Sequence, residues 1–467
     1  DEAADVVVPV SQIHRTPTPH TLAHWLTTAP RRPRAEPEPS VTGRTGPSKP
    51  VPLPLSVAKF VMLPFDLVCP VTWWIEGDLN LRALMAALAD VHKRHEALHA
   101  HYRRVNPPVA IIPANPGTPQ LRLLTDATTE QDALDQLAEA VQQPLDYTQG
   151  RNWRAALIRE KTTNRILLGI GIHHIAFDGW SHALLVRDLT HAYTARLTGQ
   201  TPEWDRPAPT LRQFHDEYSR LRAATDLEAQ RAYWREQLRG LPRQGAGSAP
   251  QQPAAWGPRA GHTVTVVPEV MERWDRAARE HRFSRSAYFA AAYATALHAI
   301  HQQDDIGLLM IVAQRGSRVL DSAFTSRINS NCLRVRFDGQ ERNLIPTVQR
   351  TVDELMAAQD VSFLEMTADP TFGLGGEVVT SLSSFAYQDN VVRPLELPGC
   401  RTEEVVEPYA REWSGGLLVE VLPGNGEVIL RVTIRTDLFP YALAEEVGAH
   451  MLRFLEAGPQ VDDDPTH

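Results

Sequence analysis

The sequence predicts an α/β protein with two lobes, because strand-like and helix-like segments alternate along it in two similar halves. Its 467 residues are enough for two or three domains, and its apolar (43%) and charged (22%) fractions are those of an ordinary globular protein. We therefore expect a first lobe over residues 54–225 and a second lobe over residues 226–467.

The N-terminal part of the chain does not look like a lobe. Residues 29–53 are dominated by proline and charge, and such a segment buries too little apolar surface to offset its ordering entropy. We predict that it is a linker. Residues 1–28 hold one short apolar run and one helical turn pattern, so they are expected to be the tail of another domain or a disordered leader.

The first lobe follows in a clear order. We expect a strand at 72–77, a helix at 78–102, paired strands at 154–160 and 164–174, and a helix after Gly179. Asn80 is the expected cap of the first helix, since a side-chain oxygen at that position accepts from free backbone N–H groups. On the later helix, Leu184, Leu185, Leu189 and Tyr193 form one apolar stripe.

The second lobe repeats this pattern. A charged helix at 211–242 is expected to carry the chain from one lobe to the other. The segments after it predict an alanine-rich helix at 285–303, strands at 306–314 and 331–339, a hairpin at 417–439 with its turn at Gly424-Asn425-Gly426, and an amphipathic helix at 442–457.

Charge and cysteine content exclude several classes of function. The net charge of −9 argues against a nucleic-acid or anionic-membrane partner, since both require basic patches. No apolar segment is long enough to span a bilayer, and no signal peptide opens the chain. Cys69, Cys332 and Cys400 are odd in number and far apart, which predicts buried small residues in a reducing cytoplasm.

Two histidines end the apolar run 164–174 and are followed by an acidic residue. Side chains alternate along a strand, so His173 and His174 must point to opposite faces, and only one of them can face a cavity. Asp178 stands at a helix start, where it can cap backbone amides or pair with a distant cation. Gly179 allows a positive φ or close approach of another group.

Three interpretations of this motif are open on the residues alone. The histidines can be structural and Asp178 a simple cap, or the group can be catalytic. A metal site is a third reading, since His-His-x-x-x-Asp offers three ligands. Histidines on opposite faces do not converge on one ion without a kink, so we expect no metal.

The segment "HHIAFDGWS" resembles the HHxxxDG motif of nonribosomal peptide synthetase condensation domains, within the chloramphenicol-acetyltransferase-like superfamily. Further segments resemble family motifs in the expected order from Pro54 to the C-terminus: "KRHEALHAHY" at 93–102, "LEAQRAYWREQLRGLP" at 227–242, "IVAQR" with Arg315 followed by "RINSNCLRV" with Asn329, "AQDVSF" at 358–363 and "IRTDLF" at 434–439.

The chain also departs from the family pattern. In "SVAKFVML", Lys59 stands where glutamine is usual, and Met62-Leu63 replaces the Leu-Trp end. Ser362 replaces the proline of QDxPF, and the RDxSRNPL motif is not recognisable in 367–376. These positions lie away from the histidines, so they bear on substrate preference and carrier docking more than on the chemistry.

The resemblance implies a V-shaped pseudodimer of two chloramphenicol-acetyltransferase-like lobes with a central tunnel. In it, His174 accepts a proton from the attacking amine, or it holds that amine or the tetrahedral intermediate by a hydrogen bond. His173 faces inward and supports the loop, Asp178 pairs with Arg315, and the Gly179 amide lies near the reacting carbonyl. The residues expected to line or brace the tunnel are Trp180, Ser181, Asn329, Ser384 and Gln388.

The same resemblance implies the partners of a condensation domain from a nonribosomal peptide or hybrid polyketide-peptide synthetase. Residues 1–28 resemble the end of a carrier domain, which would present the acyl donor as a thioester on phosphopantetheine from upstream in the same chain. The acceptor is an amine on a second carrier or a free amine. We expect a monomer that binds no cofactor or metal of its own.

Two other functions of the same superfamily remain open. One is a coenzyme A-dependent acyltransferase making an amide or ester with a free small molecule, whose DFGWG segment is not visible here. The other is a non-catalytic recruitment platform, which typically lacks the histidine motif. Epimerisation relatives continue differently after Asp-Gly, and cyclising relatives replace the histidines with aspartates.

Overall fold

The computed structural model describes residues 49–62, 67–245, 257–339, 344–388, 394–405, 412–413, 415–423 and 427–459. The predicted carrier remnant at 1–28 lies outside the described residues. So do most of the predicted linker and the hairpin turn at 424–426. The boundaries proposed for these segments and for the two lobes stay predictions.

The first half of the chain contains seven strands and five α-helices within the described residues. They are, in order: β1 (Val51–Pro52), α1 (Leu55–Met62), β2 (Val68–Gly77), α2 (Leu81–Arg94), β3 (His101–Arg103), β4 (Val109–Ile111), β5 (Leu121–Leu123), α3 (Glu130–Val141), β6 (Trp153–Arg159), β7 (Ile166–His173), α4 (Gly179–Leu197) and α5 (Leu211–Ala223).

The second half continues the alternation. Its elements are, in order: α6 (Leu227–Leu238), β8 (Gly257–Val266), α7 (Pro268–His281), α8 (Arg285–His301), β9 (Asp305–Ala313), α9 (Arg318–Ser322), β10 (Ile328–Arg336), α10 (Leu344–Ala357), α11 (Phe363–Ala368), α12 (Gly376–Ser381), β11 (Ser383–Tyr387), β12 (Cys400–Glu404), β13 (Glu412–Trp413), β14 (Leu417–Pro423), β15 (Val428–Arg435) and α13 (Ala442–Ala457).

Each half is built around its own large sheet. The first sheet has the order β12-β2-β7-β6-β5, and the second has the order β10-β9-β11-β14-β15-β8-β13. A separate small sheet joins β1, β4 and β3. Two main hydrophobic clusters form, one around each large sheet and its helices. The predicted alternation of strands and helices in two halves is therefore confirmed.

Strand β7, which carries the histidine pair at its end, lies in the middle of the first sheet. It pairs antiparallel with both β2 and β6, and seven of its eight residues, all but Ile166, are buried. Helix α3 packs directly on it. A Cβ added at Gly171 would lie 2.0 Å from the Val141 carbonyl oxygen, so only glycine permits this approach. The end of β7 is thus held by rigid neighbours.

One strand crosses from the second half of the chain into the first sheet. β12 pairs antiparallel with β2, with Glu404 opposite Trp73. The expectation that residues 226–467 form only the second lobe did not include this exchange. Nothing in the local pattern of residues 400–404 specifies a distant partner, since strand pairing of this kind is set by the tertiary fold.

Two predicted helices end earlier than expected. The helix predicted at 78–102 begins after Asn80, whose side chain caps it by accepting a 3.0 Å hydrogen bond from the Ala83 N–H. It ends at Arg94, eight residues earlier than predicted. His95 then takes an extended conformation, because its ring and the Arg94 guanidinium both bind the buried carboxylate of Asp188 at 2.8 Å. The chain continues as a short 3₁₀ turn and β3.

The charged helix predicted at 211–242 is two helices, α5 and α6. The break falls at Asp226, whose carboxylate accepts from the Ala229 N–H at 3.0 Å and so caps α6. An aspartate inside a helical pattern competes for backbone N–H groups in this way, which favours a new helix start. The described part of the chain contains no helix long and apolar enough to cross a membrane.

The three cysteines are free thiols, as expected from their number and spacing. Cys332 is buried, but Cys69 and Cys400 are only half-buried, which corrects the prediction that all three are core residues. Burial raises the pKa of the Cys69 thiol to about 12, and the charges of Asp178 and Glu420 act in the same direction. The thiol is therefore protonated at neutral pH.

Candidate active site

The two histidines at the end of β7 have different surroundings. His173 is fully buried, whereas His174 is half-buried. The two neighbouring histidines therefore differ in burial, and His174 is the more exposed of the pair.

His173 holds the backbone at the strand end. Its backbone N–H donates to the Asn152 carbonyl at 2.8 Å, and its ring Nδ1 accepts from the Ile175 N–H at 3.0 Å. The ring also meets Tyr147 edge-on, with centroids 4.9 Å apart. Because Nδ1 accepts a bond, the proton of the neutral ring resides on Nε2. These contacts fix the turn that follows and so fix where His174 projects.

His174 is positioned from the other side by helix α1. Its backbone N–H donates to the Leu67 carbonyl at 2.7 Å, and its ring stacks on Phe60 with centroids 4.6 Å apart and planes 17° apart. Its ring Nδ1 is buried and has no well-formed hydrogen bond among the described residues. Stacking on Phe60 therefore fixes the plane of the ring.

The surroundings of His174 keep the imidazole neutral. Burial lowers its pKa to about 4, and the positive charge of Lys59 acts in the same direction. The carboxylate of Asp178 and nearby backbone groups of His174 and Phe177 oppose this shift without cancelling it. A neutral imidazole can accept a hydrogen bond from an amine at neutral pH, which an imidazolium cannot.

This electrostatic setting gives a first testable prediction. By NMR, the ring Cε1–H resonance of His174, assigned with His174→Ala, is expected to titrate with a pKa of about 4. Lys59→Gln removes the neighbouring positive charge and is expected to raise that pKa. Lys161→Gln, on an exposed turn, is the matched control and should change nothing. A wild-type pKa near the unperturbed value of about 6.5 would contradict this account.

Asp178 is buried and saturated with donors. Both of its carboxylate oxygens accept from Arg315 Nη2, at 3.0 and 2.8 Å, and it also accepts from the backbone N–H of Arg327 and of Ser181 at 2.8 Å. Burial alone would raise the pKa of Asp178, but Arg315 and these N–H groups outweigh it and hold the pKa below its usual range. The carboxylate is thus ionised, and it holds Arg315 and two backbone N–H groups in place.

The Asp178–Arg315 pair joins the two halves of the chain next to the histidines. Arg315 follows β9 and also donates to the carbonyls of Leu320, Ala323 and Thr325. Its side chain is 2% exposed, so the guanidinium belongs to the interior. The structure therefore brings together two residues that are 137 positions apart in sequence.

Two residues predicted to line or brace the tunnel have bracing contacts. Ser181 is fully buried, and its hydroxyl donates to Asp178 at 2.8 Å, so it supports the carboxylate and does not line open space. Half-buried Trp180 donates from Nε1 to the Asp321 carbonyl at 2.7 Å, which again links the two halves. The packing role considered for Trp180 fits this contact.

Gly179 is the first residue of helix α4 and does not adopt a positive φ. Because it has no side chain, the Gln388 side chain can approach its backbone closely: an added Cβ would lie 2.6 Å from Gln388 Oε1. Gln388 in turn donates to Glu420 at 3.2 Å. Ser384 is half-buried on β11. Gln388 therefore lies against the start of α4, beside the histidine motif.

A cavity of about 290 Å³ lies beside helix α1; residues of both halves of the chain line it, but none of the residues 173–181 does. Asn329, one of the predicted lining residues, borders it and donates from Nδ2 to the Gln359 carbonyl at 2.9 Å. Other lining residues were not singled out from the sequence as site residues: Lys59, Tyr218, Arg222, Asp360 and Glu365. Lys59 could have been identified from the sequence as a site residue, because it replaces the glutamine that is usual at this position of the family.

No group of three or more histidine, cysteine or acidic side chains within the described residues could hold a metal ion.

The comparisons with known proteins agree on one family. The family model described as the condensation domain matches residues 67–458. The chain is 28% identical to phosphinothricin tripeptide synthetase PhsB of Streptomyces viridochromogenes over 512 aligned residues, covering 99% of the chain and 40% of that protein. It is 30% identical to a probable non-canonical nonribosomal peptide synthetase, CymA, of Salinispora arenicola, covering 85% of the chain and 5% of that protein. The chain thus spans less than half the length of these two relatives.

Solved structures show the same fold at low sequence identity. The first condensation domain of the CDA synthetase superposes with a TM-score of 0.74 at 18% identity, covering 87% of this chain and 96% of that one. The X-domain from teicoplanin biosynthesis, in complex with OxyB, superposes with a TM-score of 0.71 at 21% identity, covering 91% and 96%. The predicted chloramphenicol-acetyltransferase-like fold is confirmed. With the family model matched over most of its length, the chain belongs to the condensation domain family of nonribosomal peptide synthetases.

Proposed function

We propose that this chain transfers an acyl or peptidyl group from a carrier-bound thioester to an acceptor amine. The C–N bond of the amide forms, the C–S bond of the thioester breaks, and the proton lost by the amine ends on the released pantetheine thiol. The observation that carries the proposal is His174: a neutral, half-buried imidazole that directly follows a strand held by rigid neighbours. A thioester carbonyl is already activated, so holding both reactants in register supplies much of the required rate enhancement.

The chain's residues take the following parts in this reaction. The neutral His174 ring accepts a hydrogen bond from the attacking amine and directs its lone pair at the thioester carbonyl. The Gly179 N–H stands in the first turn of α4, where backbone donors have no intrahelical partner, and stabilises the developing oxyanion. Asp178, Arg315 and His173 keep these two groups in place without touching substrate.

The substrates arrive on phosphopantetheine arms, and the protein's part is to bind and align them. The donor carrier is proposed to lie upstream in the same chain, and the acceptor is an amine on a second carrier or a free amine. We place the reaction in the cytoplasm with the domain acting as a monomer. The three free thiols fit a reducing compartment.

The proposal is tested by reconstitution. Carriers bearing a panel of acyl and aminoacyl thioesters are mixed with the chain and an aminoacyl carrier or free amine, and intact-protein mass spectrometry follows the products. We expect carrier-dependent transfer. Turnover that is as efficient with acyl-coenzyme A and a free small molecule would favour the stand-alone acyltransferase instead.

A second function has one observation in its favour, the likeness to an X-domain solved in complex with OxyB. Such a platform would bind a tailoring enzyme and turn over no acyl carrier. The intact HHxxxDG motif and the donor set around Asp178 favour catalysis. Binding of a tailoring enzyme with no product from any acyl carrier would reverse that preference.

A further inference from the structure

Lys59 is half-buried and places a positive charge near His174. The residue lies on α1, borders the cavity, and donates from Nζ to the Ile328 carbonyl at 3.1 Å. Its ammonium also lies 5.0 Å from the ring centroid of Phe60, the same ring that stacks on His174. Burial lowers the pKa of Lys59 to about 8, with Asp178 opposing, so the side chain is mostly an ammonium at neutral pH.

The other charged groups around the cavity are already paired. Arg222 binds Glu365 at 2.5 Å and the Asp360 carbonyl at 2.8 Å. The Asp360 carboxylate accepts from Gln230 at 3.0 Å. Asp178, the nearest carboxylate to act on Lys59, is occupied by Arg315 and by backbone donors. Among the described lining residues, Lys59 is the cation with no carboxylate in hydrogen-bond contact.

A second cation adds to the positive potential behind the cavity. Arg327 is 4% exposed and lies with its guanidinium 5.0 Å from the ring centroid of Tyr218, which borders the cavity. Its Nη1 is buried and has no hydrogen-bond partner among the described residues. Buried donors normally have partners, so the free Arg327 Nη1 behind the cavity and the Lys59 ammonium at its border both favour an anionic group bound there.

The bond to Ile328 does not explain a lysine at this position. A glutamine, the residue usual at this position in the family, offers an N–H donor for the same carbonyl and carries no charge to desolvate. Burying an ammonium costs several kcal/mol more than burying an amide unless an anion compensates it. The charge itself is therefore what the site requires.

We infer that Lys59 binds a carboxylate of the acceptor, so that this domain prefers acceptor amines that carry an anionic group. The inference rests on the proposed function and names the class of its acceptor. Two sources supply the same chemistry: an acidic side chain of a carrier-bound aminoacyl group, or the α-carboxylate of a free amino acid. Lys59 Nζ and the His174 ring both contact the Phe60 ring. On this inference, the acceptor presents its amine to His174 and its carboxylate to Lys59.

The test compares acceptors that differ in charge and little in shape. One arm uses the N-acetylcysteamine thioesters of aspartate and asparagine. The other uses free leucine and leucinamide. With a fixed acyl-carrier donor at pH 7, we expect the carboxylate-bearing member of one pair to show kcat/KM at least about tenfold higher, mainly through a lower KM. That ratio corresponds to about 1.4 kcal/mol. The arm that shows the preference identifies the source of the carboxylate.

Substitutions connect the preference to Lys59. Lys59→Gln keeps a donor for Ile328 and is expected to remove the preference, and Lys59→Arg is expected to retain most of it. Lys161→Gln removes an exposed lysine from the β6–β7 turn and should leave the preference intact. Equal kcat/KM for both members of both pairs in the wild-type chain overturns the inference, as does a preference that survives in Lys59→Gln.

A binding measurement separates this inference from the proposed function. Calorimetry with the same acceptors and no donor reports the charge preference even if no product forms. Tighter binding of the carboxylate members without condensation supports the acceptor site and counts against the proposed transfer. Condensation of asparagine thioester with no charge preference in binding or rate supports the transfer and overturns the role of Lys59.

Discussion

Replacing His174 by alanine is expected to lower the rate of amide formation by about two to four orders of magnitude. The substitution removes the one group at the end of β7 that can accept a hydrogen bond from the acceptor amine, while Asp178 and Arg315 stay in place. Single-turnover assays with loaded donor and acceptor carriers, read by mass spectrometry, measure the effect. The loss is expected in the rate of the bound complex, since both pantetheine arms are held by other contacts.

The fold should survive this change, which makes the loss interpretable. His174 is half-buried and contributes mainly a stacking contact with Phe60. Circular dichroism and the midpoint of thermal unfolding should stay close to those of the wild-type chain. His191→Ala, at an exposed histidine on α4, is the matched control and is expected to retain full activity. Full activity in His174→Ala would refute the assignment of the active site.

A third variant separates positioning from proton transfer. His174→Gln keeps a hydrogen-bond acceptor but has no titratable group. Because the pKa of His174 is about 4, the free ring is a weak base, and we expect positioning to dominate. The condensation rate of His174→Gln should then be at least about tenfold higher than that of His174→Ala. Equal rates in the two variants would indicate that His174 transfers a proton.

Periodicity and parity predicted much of this protein from its sequence. The alternation that placed paired strands around 162–164 depends on local hydrophobic pattern, and β6 and β7 pair as expected. The two-residue repeat of a strand predicted different surroundings for His173 and His174, and the first is fully buried while the second, just after the end of β7, is half-buried. Asn80 was expected as a helix cap, and its side chain accepts the bond that a cap requires. These features are local, so the chain alone specifies them.

Local sequence patterns did not predict the contacts between segments that lie far apart in the chain. The pairing of β12 with β2 joins segments more than 300 residues apart, and a short strand of polar residues carries no signal of its partner. The early end of α2 depends on Asp188, which lies on another helix. Lys59 was noticed only as a departure from a motif. Its half-buried position near His174 results from the packing of α1 against both halves of the chain.

The largest structural effect is expected for Asp178→Asn, with a loss of about 3–5 kcal/mol in the free energy of unfolding. The asparagine would leave the buried Arg315 guanidinium without its counter-charge. Its NH₂ group would also replace a carboxylate oxygen that accepts hydrogen bonds, so that donors would point at a donor. Urea unfolding followed by circular dichroism measures the loss. Asp205→Asn, at an exposed aspartate, is the control and should change stability by less than about 0.5 kcal/mol.

The pH dependence of this difference identifies the charge as its cause. The pKa of Asp178 is lower in the folded chain than in the unfolded chain, where it is about 3.9. Its stabilising contribution is therefore fully present above that value and is lost as the pH falls through the folded pKa. The stability difference between wild type and Asp178→Asn should be constant between about pH 5 and 8 and should narrow below about pH 4. If the stability difference between the two proteins does not change with pH, the loss comes from hydrogen-bond geometry alone and not from the charge of Asp178.

The same pair couples stability to catalysis, because Asp178 fixes the start of α4, where Gly179 presents its N–H. Asp178→Asn is therefore expected to lower the condensation rate even under conditions in which the chain is fully folded. Arg315→Met removes the partner from the other half of the chain, and combining it with Asp178→Asn should cost less than the sum of the two single changes. Additive losses, or an active and fully stable Asp178→Asn, would show that the ion pair joining the two halves does not hold the site together.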